Sequence, residues 1–504
     1  MDKTDIIIIG GGLGGLTAGA RLAKAGKRVL LLEQHSVPGG CATTFRRKGF
    51  LVEAGLHEMD GLDPSDLKSK IFRELEVFDQ LEFIRLPEFY RVITSKTDLV
   101  VPDETDAAIE LFSRAFPSEE QGIRKFFSTI HGLRDEVERL PGNRAVMMLL
   151  YPLFPLLYPK LASLNNRTVG EFVDSIISDE ELKIAILANY PYYHDDPYEL
   201  SLLYFSMAQS SYYRGGGHFI RGGSQRLSDH LAAFIESHGG KVMLNTRATR
   251  ILIEGGRAAG VAYLKHGAGG EHELRSRTVI ANAAVPLVVG MLPEPERGIL
   301  ERRVAGLKPG IAWMSVYIGF KRDISMLGNR AYSTFFMGDA DSGGLKDRAR
   351  THHAGFDKRG FTFVDYSRID SGLGAEGKSF GVITTVDYID EWEGLDDEAY
   401  RRKKDEVART LVGRLEKFIP GISGEIEYLE LGTAKTVRRF TGNPGGVATG
   451  YAQIPSQAGI NRLPHRSPVP GLYFASAWSG PGGGFTGAIL GGWGCAGELI
   501  SSKP

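Results

Sequence analysis

The sequence predicts an α/β chain in which a parallel-sheet domain, cut into three pieces, is interleaved with a second domain of mixed sheet and helices. Three observations predict it. The first forty residues read strand, glycine loop, helix, strand, acid. A second set of short strands lies near residues 242–283, and an apolar strand, a glycine run and an apolar helix follow Gly471. Between these segments the pattern changes, to helical periodicity over residues 65–215 and to alternating strands over residues 290–430.

Asp5-Ile6-Ile7-Ile8-Ile9 reads as a buried parallel strand, because four β-branched residues in succession suit a surface covered on both faces. It runs into Gly10-Gly11-Gly12-Leu13-Gly14-Gly15, which satisfies G-x-G-x-x-G through Gly10, Gly12 and Gly15. In such a turn the first glycine permits the reversal. The second lets backbone N–H groups approach a pyrophosphate, and the third lets the helix pack close against the strand. Residues 16–25 are expected to form that helix, its N-terminus offering free N–H donors and partial positive charge to a diphosphate. The next strand, residues 28–32, ends in Glu33, where a carboxylate can accept from a ribose 2′-hydroxyl and disfavours a 2′-phosphate. The continuation Glu33-Gln34-His35-Ser36-Val37-Pro38-Gly39-Gly40-Cys41-Ala42-Thr43-Thr44 resembles the second half of the flavoprotein dinucleotide motif, an extension that plain nicotinamide dehydrogenases lack. The predicted domain is therefore Rossmann-type and its cofactor FAD. Leu13, Gly14, Gln34, Gly39, Gly40, Cys41 and Thr43 join Gly10, Gly12, Gly15 and Glu33 as expected contacts.

Gly222-Gly223-Ser224 leads into an amphipathic helix carrying Leu227, Leu231, Phe234 and Ile235, stopped by Gly239-Gly240. Strands follow at residues 242–244, 248–253, 259–263 and 278–283. At the other end, Ser476 follows the strand at Gly471. Gly480-Pro481-Gly482-Gly483-Gly484-Phe485-Thr486-Gly487 then opens an apolar helix over residues 488–500. No acid can sit twenty residues further on, so a second dinucleotide site is not expected there. The better reading aims this helix N-terminus at the pyrimidine end of a flavin, with Ser476, Gly484, Phe485 and Thr486 as contacts.

The chain's 504 residues exceed one compact core. Residues 1–65, 216–290 and 431–504 are expected to bind FAD, and residues 66–215 and 291–430 to bind substrate. The net charge of -1 removes any electrostatic case for nucleic acid. Two cysteines, Cys41 and Cys495, form no disulfide framework and suit a reducing, cytoplasmic compartment. Asp2, Asp5 and a short apolar strand do not make a secretory signal, and no apolar run reaches the roughly twenty residues of a spanning helix. No metal is expected: His352-His353 and His194-Asp195-Asp196 lack both i, i+4 spacing and a closing ligand set. Residues 396–417 read as a solvated amphipathic helix.

Over nearly its whole length the sequence resembles the carotenoid desaturase, carotenoid cis-trans isomerase and retinol saturase group of FAD enzymes, on the amine oxidase and phytoene desaturase type of scaffold. The resemblance rests on the N-terminal motif, residues 49–57 (Gly49-Phe50 to Leu56-His57), Tyr212-Tyr213-Arg214-Gly215-Gly216, Ile220-Arg221-Gly222-Gly223-Ser224, Val279-Ile280-Ala281-Asn282-Ala283 and the string from Gly432 to Phe440. The family usually carries Asp where this chain has Glu53, and Pro where it has Ala434. The resemblance implies that Val242 meets the adenine through its backbone and that Asn282 and Ala283 border the cofactor. It also implies an apolar polyene or isoprenoid lipid as substrate, while saturation, isomerisation and desaturation stay open, as does the electron partner.

Residues 145–159, rich in Leu, Met and Tyr and broken by Pro152, Pro155 and Pro159, suit either an apolar loop touching a membrane from one side or a buried wall of the substrate domain. All three chemistries need an acid–base group beside the flavin, and the candidates are His57, Glu58, Tyr213 and Lys435, with Tyr212 as a pocket wall. Two rival functions share the scaffold: a flavin amine oxidase, and a non-catalytic escort that binds FAD or a prenyl lipid.

Overall fold

The computed structural model describes residues 4–142, 144–337 and 344–501. Among them, β1 (Ile6–Ile9), β2 (Val29–Leu32), β3 (Lys241–Met243), β4 (Val279–Ala281) and β5 (Leu472–Phe474) form a parallel sheet in the order β3-β2-β1-β4-β5. Ile7 lies opposite both Leu30 and Val279 in its register. The uninterrupted apolar run of β1 has a direct cause. Ile6 and Ile8 enter a core shared with the first helix (Leu13–Lys24), the helix Gln225–Ser237 and the last helix (Gly484–Ser501). Ile7 and Ile9 enter a second core, built with the antiparallel strands Thr246–Glu254 and Arg257–Lys265 and the helix Val285–Met291. Each face of the strand is thus sealed by a different layer.

The other large sheet has seven described strands of mixed direction. Its centre is Ala312–Phe320, Ser379–Asp387 and Phe361–Asp365, paired antiparallel. Met314, Val316 and Ile318 pack with Val407, Leu411 and Leu415 of the helix Asp397–Glu416, while Tyr317 turns to the opposite face and joins the core of the first domain. A fourth core, around Phe112, Phe126, Phe127 and Tyr190, holds the helical layer. Glu53 ties the parts together: its carboxylate accepts from the N–H of Gly55, Leu56 and Ser224 and from the Ser224 hydroxyl, at 2.7–3.1 Å. The longer side chain at this position is therefore fully employed, although burial lifts it to about 6.

Three expectations are corrected. The first helix starts at Leu13 rather than at residue 16, so Leu13 and Gly14 form its first turn. The last helix starts at Gly484, four residues before the expected point. Residues 145–159 are not a loop but a chain of short helical turns, Arg144–Leu150, Tyr151–Leu153 and Phe154–Leu157, followed by Pro159–Leu164. The prolines fall in first turns, where the missing N–H costs nothing.

A Cβ on Gly14 would collide with the carbonyl oxygen of Ala475, just past β5, whereas one on Gly413, inside the helix Asp397–Glu416, would meet nothing within 4 Å. Gly14→Ala should therefore lower the unfolding free energy by about 1–3 kcal/mol, and Gly413→Ala should raise it by about 0.5–1 kcal/mol. Urea denaturation of both variants checks the pair of signs.

Candidate functional site

The turn after β1 is held by main chain and by two side chains, Glu33 and Asn282. Gly10 has a φ of +94°, a conformation that L side chains rarely adopt. Gly11 N–H donates to Glu33 Oε2 at 2.6 Å, and His35 N–H donates to Glu33 Oε1 at 2.8 Å. Asn282 Nδ2 donates to the Gly10 carbonyl at 3.2 Å, and Gly39 N–H donates to the Gly11 carbonyl at 2.7 Å. The two glycine turns thus lie against each other, although 28 residues separate Gly11 from Gly39. A Cβ on Gly15 would strike the Gly10 carbonyl oxygen, as the close helix–strand contact requires.

These turns form one end of a cavity of about 2850 Å³, far above the roughly 300–1,000 Å³ of an ordinary ligand pocket. Gly10, Gly12, Leu13, Gly14, Glu33, Gln34, Gly39, Gly40, Cys41, Thr43, Asn282, Ala283, Ser476, Gly484, Phe485 and Thr486 all line it. Gly15 and Val242 are not among the lining residues. Val242 sits in β3 opposite Leu31, its N–H 3.5 Å from Glu236 Oε1, and the cavity wall is supplied instead by Thr246, Arg247, Ala248 and Thr249 at the start of the next strand. The strand pattern is the same a few residues either way, so the sequence carried no signal for that displacement. Cys41 opens onto the cavity, and desolvation there pushes its thiol up to about 11. Bare main chain at the two glycine turns and an open Gly484 leave room for an extended anionic dinucleotide between them, so the residues present fit such a group.

Beyond the N-terminus of the last helix the wall becomes aromatic: Tyr192, Tyr193, Tyr204, Tyr212, Trp313 and Tyr317 all face the cavity. His57 and Glu58 stand among them. His57 Nδ1 is 2.8 Å from the Tyr192 hydroxyl, and the Tyr332 hydroxyl donates to the His57 carbonyl at 2.6 Å. Desolvation lowers the imidazole to about 4, so it is neutral at pH 7. Glu58 Oε2 is buried and has no hydrogen-bond partner among the described residues. Burial raises this carboxyl to about 8, so it carries a proton at neutral pH.

The other two candidates fare differently. Lys435 lines the cavity with its ammonium 4.7 Å from the centre of the Tyr400 ring. It stands at the start of the helix Ala434–Thr441, which Thr433 caps and whose Ala434 N–H donates to Asp387 at 2.7 Å. Tyr213 is not brought to the site. Its ring packs 5.0 Å from Phe89 and 4.9 Å from Phe127, inside the helical core, while Tyr212 faces the cavity. Tyr213 is turned about 100° round the helix from Tyr212, and there it packs into the helical core instead of the wall. Tyr192, 135 residues from its partner His57, went unremarked in the sequence because nothing local marks it.

Met147, Tyr151, Phe154, Leu67 and Ile460 also line the cavity, from three separate chain segments. Leu67, Tyr151 and Ile460 are also strongly exposed there, as are Met148, Leu149 and Leu156 beside them. No described helix is long and apolar enough to cross a membrane.

Residues 13–500 match the family model of flavin-containing amine oxidoreductases. The chain is 27% identical to prolycopene isomerase 2 of an Oncidium hybrid cultivar, over 98% of this chain and 83% of that protein. It is 24% identical to human all-trans-retinol 13,14-reductase, over 94% of this chain and 82% of that one. Cyclohexylamine oxidase from Brevibacterium oxydans shares the fold, with a TM-score of 0.62 and 17% identity over 99% of both chains.

Glu58 makes a sharp pH prediction. Its folded value of about 8 lies above the ordinary 4.5, so the folded state holds a proton that the unfolded state releases between those values. Stability from this group is full below about 4.5 and declines as pH rises toward about 8. Glu58→Gln removes that decline. Urea midpoints of the two proteins should converge at low pH and separate in favour of the variant as pH rises, and parallel curves would refute the assignment.

Proposed function

The chain belongs to the family of flavin-containing amine oxidoreductases, and we propose that it uses FAD to act on carbon–carbon double bonds of an apolar polyene or isoprenoid lipid. Saturation and cis–trans isomerisation stand ahead of desaturation. The observation that carries the reading is one cavity lined both by two glycine turns and by an aromatic wall, in which stands a protonated carboxyl whose Oε2 has no partner among the described residues. The names of the relatives, prolycopene isomerase and all-trans-retinol 13,14-reductase, support a polyene over an amine.

FAD supplies two-electron chemistry when bound. The chain's own residues do the rest. Gly12 to Gly14 would offer N–H groups to the diphosphate and Glu33 a carboxylate to the ribose, and the strand start at Thr246–Thr249, which lines the cavity, would border the adenosine side. The N-terminus of the last helix, with Thr486, would hold the pyrimidine end, where its dipole would favour negative charge. The tyrosines and Trp313 supply flat apolar surface for a conjugated chain. The Glu58 carboxyl would supply the proton that saturation must deliver to the carbon skeleton, and His57, neutral and tied to Tyr192, keeps a second charge out of the wall.

The substrate enters past the exposed apolar turns of residues 145–157, which dip into one leaflet and let an insoluble lipid pass without crossing water. Residues 1–65, 216–290 and 431–504 form the cofactor domain in this reading, and the rest encloses the lipid.

Incubation of the flavin-loaded protein with prolycopene and with all-trans-retinol, with oxidised and with reduced FAD, tests the function by mass and spectrum of the extract. Two added hydrogens mean a saturase, and an unchanged mass with a new spectrum means an isomerase. Oxygen uptake driven by amines would displace the proposal. Glu58→Gln should cut turnover about 100-fold or more while flavin content stays unchanged. Leu149→Glu with Leu156→Glu should abolish cosedimentation with phosphatidylcholine vesicles and leave flavin content intact.

A further inference from the structure

Lys68 is fully buried, yet it lies beside the cavity. It occupies the first turn of the helix Leu67–Glu74, capped by Asp66, whose Oδ1 accepts from Lys68 N–H at 2.7 Å and whose Oδ2 accepts from Arg134 at 2.6 Å. The helix start is therefore fixed, and with it the ammonium. That ammonium lies 3.2 Å from Asp60 Oδ1, donates to the Asp60 carbonyl, and donates to the Thr486 hydroxyl at 2.9 Å. Thr486 in turn donates to Asp60 Oδ1. Asp60 sits on the short strand Met59–Asp60, pinned opposite Gly217 and His218. Both Asp60 and Thr486 line the cavity, whereas Lys68 stands behind them.

Resting on the reading of this cavity as a flavin site, we propose that Lys68 and Asp60 are positioning residues that set the redox balance of the bound flavin: the buried cation cancels the charge of Asp60 and locks Thr486 at the head of the last helix. A buried ion pair contributes little net stability, because desolvation offsets its attraction. Breaking it is different. Charges act strongly over short distances where water is excluded, and reduction places negative charge on the flavin ring. With Lys68 removed, Asp60 is an uncompensated anion at the wall and opposes reduction. With Asp60 neutralised, Lys68 is an uncompensated cation and favours it. The two changes push in opposite directions, which a loss of packing would not do.

The test is the equilibrium between bound flavin and an indicator dye during slow reduction, for Lys68→Met, Asp60→Asn and the double variant. Each is read at about pH 7 and about pH 8.5, since a lone buried acid or base can discharge by a pKa shift. The Lys68→Met equilibrium should move toward oxidised flavin by about tenfold, and that of Asp60→Asn toward reduced flavin by a similar factor, each about 30 mV for a two-electron couple. The double variant should return near the parent. Shifts of one sign, or no shift in flavin-loaded variants at either pH, overturn the proposal and leave the cofactor reading standing. If Lys68→Met does not fold, Asp60→Asn alone decides by its sign. Parent protein that takes up no flavin overturns both.

Discussion

The structure depends on one close main-chain contact: the glycine turn after β1 laid against the glycine turn at Gly39, with no side chain between them. Gly39 N–H reaches the Gly11 carbonyl, Glu33 grips both Gly11 and His35, and Asn282 closes the third side from the end of β4. The contact draws β1, β2 and β4 to one point. It also brings the first helix so near the last that a Cβ on Gly492 would meet the Gly14 carbonyl oxygen. Because the last helix is placed by that contact, so is Thr486, and through it Asp60 and Lys68.

A second constraint governs the other end of the cavity, where aromatic walls make charge expensive. His57 is held neutral by desolvation and Glu58 is held protonated by the same cause, with no counter-charge needed for either. Desolvation also raises the surrounding tyrosines, so their hydroxyls stay protonated. Asp60 instead is held below the usual carboxylate range despite its burial, by the adjacent Lys68 and by hydrogen bonds from Thr486 and Ser211. The aromatic wall thus offers an apolar chain a neutral His57 and one proton in reserve on Glu58.

Much of this was legible in the residue order. The β-branched run of β1, the glycine spacing, the acid at Glu33 and the second Gly-Gly pair are local patterns, and each sets a local structure through backbone sterics or hydrogen bonding. The amphipathic spacing of Val407, Leu411 and Leu415 likewise fixed a helix that the structure places over residues 397–416. Boundaries were less legible. Leu13 and Gly14 belong to the helix because its first turn packs on Ala475, a residue more than 450 positions away. The apolar run at residues 145–159 read as either an apolar loop or a buried wall because prolines end helices, yet the same residues serve well in the first turn of the next one, and much of the run is exposed.

By itself, then, the sequence determined the α/β class and the dinucleotide-type turn, because those rest on contacts among neighbours in the chain, and local strand and glycine patterns marked the three pieces that long-range strand pairing joins into one sheet. Only the tertiary structure decided which residues face the cavity. It turned Tyr212 inward and Tyr213 away, moved the wall from Val242 to Thr246–Thr249, set Tyr192 against His57 and buried Lys68 against Asp60. Those choices depend on the angle at which one helix or strand meets another far along the chain. Packing sets that angle, and no local pattern encodes it.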